Sequence, residues 1–117
     1  SGRLYLDGNV SVEENSQSIK DRKNLGSNGY LEITILITPK GNIHNNPIIN
    51  FRGLPIYETD EFIYLLEEEI EKTAKTFNIG NKSQRHNLID ALKIAARKFT
   101  KEKTGKRPFT NINLVDI

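Results

Sequence analysis

Any chemistry in this chain would have to come from two histidines, a run of carboxylates and one basic cluster, because its 117 residues include no Cys. A zinc site needs three or four N, S or O ligands at close quarters. His44 sits in a turn-like stretch over 42–46, and His86 falls in the first turn of a second helix. Neither has carboxylates at a metal-binding spacing, so both read as surface histidines. Glu67, Glu68, Glu69 and Glu71 are numerous but do not converge. Consecutive helical positions point ~100° apart, which gives a solvated face rather than an acid–base pair. Glu32 and Glu58 read as isolated. Gly26-Ser27-Asn28-Gly29 lacks a Gly-Lys-Ser/Thr ending and precedes a strand, so it is a tight turn and not a phosphate cradle. No Ser lies in a nucleophile elbow. These residues therefore offer no catalytic group, metal site or cofactor site.

The basic cluster is a different case. Lys93, Arg97 and Lys101 recur at i, i+4 and i+8, on one helical face, and Lys98, Lys103, Lys106 and Arg107 follow closely. Lys20, Arg22 and Lys23 form a smaller basic group. Candidate RNA contacts are Lys20, Arg22, Lys23, Lys93, Arg97, Lys101, Lys106 and Arg107. Few aromatics sit among them to stack on bases, and Phe99 belongs to an apolar stripe. A solvated charged face is the simpler reading of the cluster.

The elements that position these residues follow from period and punctuation. Arg3–Leu6 can form a short strand, closed by Asp7-Gly8. A short helix is expected over 16–24. Leu31, Ile33, Ile35 and Ile37 alternate with Glu32, Thr34, Leu36 and Thr38, the period of a half-buried strand. Pro39-Lys40-Gly41-Asn42 has turn chemistry. A second strand is expected over 48–51. Thr59 is the expected N-cap of a helix carrying Ile63, Leu66, Ile70 and Phe77, widened by Phe62 and Leu65, and ended by 78–80. Ser83 is expected to cap a second helix with Leu88, Leu92, Ala95, Ala96 and Phe99 on its apolar side. Gly105 fits just past its end, Pro108 forbids continuation, and a last strand runs over 109–115.

The predicted fold class is α+β. A small three-stranded sheet is covered on one face by a two-helix hairpin, in the order β-β-α-α-β. Residues 1–28 form an extended connector arm and residues 29–117 the compact domain. From Asp60 to Phe77 six acids face two lysines, a net −4, and from Ser83 to Thr104 six bases face two acids, a net +4. Exposed ion pairs contribute only about 0–1 kcal/mol, so the apolar stripes must hold the hairpin. Two helices cover one side of a sheet only. Leu36 and Ile48 point away from the main apolar rows, as candidate interface residues or as ordinary exposed apolar side chains.

Composition sets outer bounds. Hydrophobic residues at 36% and charged residues at 27% fit a water-exposed globular domain. A net charge of +2 is too small to imply nucleic-acid binding by itself. No apolar run approaches ~18 residues, so no membrane partner is expected. Without Cys the chain suits the cytoplasm.

Several strings, in order, resemble one family. Gly2-Arg3-Leu4-Tyr5-Leu6-Asp7-Gly8 looks like the segment leaving the catalytic core of ribonuclease J enzymes. Ile19-Lys20-Asp21-Arg22-Lys23-Asn24-Leu25 with Asn28-Gly29 is similar to their basic stretch and following turn. Pro47-Ile48-Ile49-Asn50-Phe51-Arg52-Gly53 resembles their strand ending in an arginine-glycine pair, and Lys103 to Pro108 their last basic turn. The resemblance implies a C-terminal accessory domain of a metallo-β-lactamase/β-CASP nuclease, in which two zinc ions activate water against an RNA phosphodiester. Zinc and the nuclease centre would belong to the parent's other domains, and this domain would be non-catalytic. Implied partners are a second copy, in a dimer or tetramer, and RNA reached through the parent. Val12-Glu13-Glu14-Asn15 departs from the usual Gly- and Asp-rich connector, and Phe51 replaces a common Ser or Gly. The alternative from the residues alone is an independent RNA-binding module built on the basic second helix. A small enzyme of another type has no convergent site to support it.

Overall fold

The computed structural model describes residues 3–6, as backbone, and residues 28–117. The helix expected over 16–24, and Lys20, Arg22 and Lys23 with it, lie outside the described residues. The compact part has the predicted α+β order. Strand β2 (Tyr30–Ile37) turns into β3 (Ile43–Arg52), helices α1 (Thr59–Ala74) and α2 (Arg85–Thr104) follow, and β4 (Phe109–Asp116) closes the chain. Its three strands form a mixed sheet in which β2 is central, antiparallel to β3 and parallel to β4. Strand β1 (Arg3–Leu6), the short strand expected in the arm, adds a fourth member antiparallel to β4.

Alternation decides which way each strand faces. Leu31, Ile33, Ile35 and Ile37 are buried, as are Ile112 and Leu114 of β4. They meet Phe62, Leu66, Ile70 and Ala74 of α1 and Leu88, Ile89, Leu92, Ala96 and Phe99 of α2 in one core. The rings of Phe62 and Phe99 lie 5.5 Å apart, so the start of α1 packs on the end of α2 and the hairpin is antiparallel.

Several boundaries differ from expectation. Helix α1 starts at Thr59, so Glu58 is its N-cap; its carbonyl accepts from Phe62 N–H at 2.9 Å and its side chain makes no capping bond. The helix ends at Ala74, short of Phe77, because the chain tightens: Thr76 and Phe77 N–H bond to carbonyls three residues back. Ser83 does not cap α2. A 3₁₀ turn (Lys82–Gln84) precedes the helix, and the Asn81 side chain accepts from Ser83 N–H at 3.0 Å and Ser83 O–H at 2.7 Å. Gly105 ends α2 as expected, in the left-handed region at φ 77°.

Strand β3 begins five residues before the expected position, so His44 lies in a strand opposite Leu36 rather than in a turn. Thr34 pairs with Ile48 and Leu36 with His44, so β3 holds two extra residues there and Asn45 takes φ 61°. An even insertion leaves alternation intact, which keeps Ile43, Ile49 and Phe51 toward the core.

Candidate functional site

Two surfaces outside the core collect the residues that could meet a partner. The first is the sheet face away from the helices. Register places Tyr30, Glu32, Thr34 and Leu36 beside Phe109, Asn111, Asn113 and Val115. On the other side of β2 stand Arg52, Asn50, Ile48 and His44. Leu36 and Val115 are half-buried and adjacent, and Ile48 is 48% exposed across from Thr34. Both candidate interface residues thus share this face, with Val115 beside Leu36.

The middle of the face is polar and internally bonded. Tyr30 O–H donates to Glu32 Oε2 at 2.8 Å, and the Asn111 amide donates to the same oxygen at 3.4 Å and to Asn113 Oδ1 at 3.2 Å. Asn113 in turn donates to Thr34 Oγ1 at 3.1 Å. Glu32 is therefore not isolated: its Oε2 accepts from both Tyr30 and Asn111. Burial, and then the Glu32 carboxylate beside it, push the Tyr30 phenol from 10.0 up to about 12. At the far end the Tyr30 and Phe109 rings stack at 5.9 Å, and Phe109 is 40% exposed.

The second surface is a groove of about 400 Å³ along the last turns of α2. Ile94, Arg97, Lys98, Lys101, Glu102 and Arg107 line it. Of the candidate RNA contacts, the fold brings Arg97, Lys101 and Arg107 together here and adds Lys98. Lys93 and Lys106 are half-buried and do not line it. Lys101 Nζ donates to the Gly105 carbonyl at 2.9 Å, and Lys103 leaves the groove to lie over the Phe99 ring at 5.7 Å. Two features escaped sequence reasoning. Phe109 belongs to the open face because Thr110, Ile112 and Leu114 point inward, an alternation that the sequence does carry. Arg85, counted above as a helix charge, is buried and paired with Asp116 at 2.9 and 3.0 Å while its Nε donates to Ile79 O at 3.1 Å.

Among the described residues the two histidines stand apart. His44 is on β3, and His86 is an exposed side chain on α2 at 3.4 Å from Asp90. Among the described residues no three His, Cys, Asp or Glu gather to hold a metal ion. No helix among them is long and apolar enough to cross a membrane.

None of the curated proteins compared with the chain matches it. The family model described as the ribonuclease J C-terminal domain matches residues 17–117, which takes in the whole β2–β4 unit, both helices and both surfaces. The chain belongs to the ribonuclease J C-terminal domain family.

Proposed function

We propose that this domain is the accessory and assembly unit of a zinc-dependent ribonuclease J, acting in cytoplasmic RNA processing and decay, and that it does not cut RNA itself. Zinc and the hydrolytic centre belong to other domains of the parent. The observation that carries this reading is a sheet face that no described element covers. One layer of helices satisfies one side of the sheet, while Leu36, Val115 and Ile48 form an apolar end on the other. A second copy of the same face would cover that end in a symmetric dimer, and pairing of dimers would give a tetramer. The Glu32–Asn111–Asn113–Thr34 row is cross-linked by its own hydrogen bonds, which supports it as a polar margin beside that apolar end.

Methyl NMR during dilution tests the location. Resonances of Leu36, Ile48 and Val115 should move together as concentration falls, while those of Ile94 on α2 stay still. Movement confined to the helical face would refute this assignment. The non-catalytic part is tested with RNA and pure chain, which should leave the RNA intact. Cleavage that persists with chelator and in a His44→Ala/His86→Ala variant would overturn it.

A further inference from the structure

We propose that the groove on α2 is a single-stranded RNA site, with phosphates held by Arg97, Lys98 and Arg107 and a base stacked on Phe109; this rests on the chain's being part of a ribonuclease. The groove's charge is open. Among the described residues no carboxylate lies within ion-pair distance of Arg97, Lys98 or Arg107, although Glu102 is on the rim. Concentrated positive charge without internal partners binds a polyanion, and two guanidinium forks match phosphate oxygens. Lys101 is partly spent on the Gly105 carbonyl, so it contributes field more than a contact.

The chain itself links this groove to an aromatic platform. From Arg107 it runs through buried Pro108 to Phe109, whose N–H is anchored to Gly29 O at 3.0 Å. Two residues of extended chain span about 7 Å, close to one nucleotide step. The Phe109 ring is supported by Tyr30 and 40% exposed, so it can take a base only where that base is unpaired. An acidic protein segment would use the same charges but has no need of an aromatic beside them. An exposed ring two residues along the chain from Arg107 therefore favours RNA. The site is separate from the Leu36 end of the sheet, since Tyr30 and Ile37 terminate β2 at opposite ends.

The test is fluorescence anisotropy of a labelled oligoadenylate with the full chain over a series of salt concentrations. Single strands give a slope of about 0.7 per phosphate contact, so Arg97→Gln/Arg107→Gln should flatten the log–log salt slope by about 1.4. Phe109→Leu keeps an apolar side chain and should weaken binding about tenfold without changing that slope. Ile48→Asp should bind RNA normally even if it disrupts self-association, which separates this site from the assembly reading. Three results would overturn the proposal: no binding by a correctly folded chain, affinity and slope unchanged in the arginine variant, or displacement of RNA by polyglutamate at equal charge concentration. A Phe109→Leu variant with full affinity would remove the base-stacking part.

Discussion

Arg85 shows how a single residue can be misjudged from its neighbours. In a helix with six bases it reads as another solvated charge, yet its side chain is only 5% exposed. Its partner Asp116 is 31 positions away, at the end of β4, and no local pattern announces such a pair. The bidentate contact ties the start of α2 to the last strand. Arg85 is buried, but Asp116 is 22% exposed and keeps Lys82 at 4.0 Å, so Arg85→Ala should lower unfolding free energy by about 2 kcal/mol in denaturant titration, mainly through lost charged hydrogen bonds. A loss near zero would show that water already screens the pair. Tyr30 makes a second residue-scale prediction. Its raised pKa means that the fold favours the neutral phenol. That contribution is complete below pH 10.0 and is lost as pH rises toward about 12. An absorbance titration should show a tyrosine step near pH 12 that Tyr30→Phe removes, while Tyr64, also held above 10.0 by the Glu68 carboxylate, still ionises late in that variant. A late part of the titration unchanged in Tyr30→Phe would contradict it.

Elements were legible where burial imposes a period. The alternation of Leu31 to Ile37 defines the central strand, and the same count puts Leu36 and Ile48 on the opposite face. Legibility failed where turn chemistry lies inside a strand. Asn45, Asn46 and Pro47 read as a loop, but they form the bulge of β3, where an unpaired residue is tolerated. Phe77 continues the spacing of Ile70, yet it packs against the core from beyond the helix, since burial does not require helical backbone. The basic groove was half legible: the sequence grouped Arg97, Lys101 and Arg107 in one cluster, and the fold adds Lys98 to their groove while leaving Lys93 and Lys106 off its lining. Gly29 carries a prediction at this scale. At φ 82° it leads into β2, and an added Cβ would sit 2.9 Å from the carbonyl oxygens of Arg52 and Gly53. Gly29→Ala should destabilise the domain by about 2 kcal/mol, measured by thermal or chemical unfolding. Leu92→Ala, fully buried between helix and sheet, should cost about 3 kcal/mol by the same measurement.

Among the described residues the molecule is a helical layer on one side of a mixed sheet, and no described element covers the other side. A closed symmetric pair would cover that side on both copies at once, whereas contacts through the basic groove would leave it open. The measurement that tests this most directly is solution mass by light scattering over a wide concentration range. Wild-type chain should rise from 13.3 kDa toward twice that value as concentration increases, and Leu36→Asp/Ile48→Asp should stay at 13.3 kDa. A wild-type mass fixed at 13.3 kDa throughout, or a dimer indifferent to both substitutions, would contradict assembly through the open sheet face.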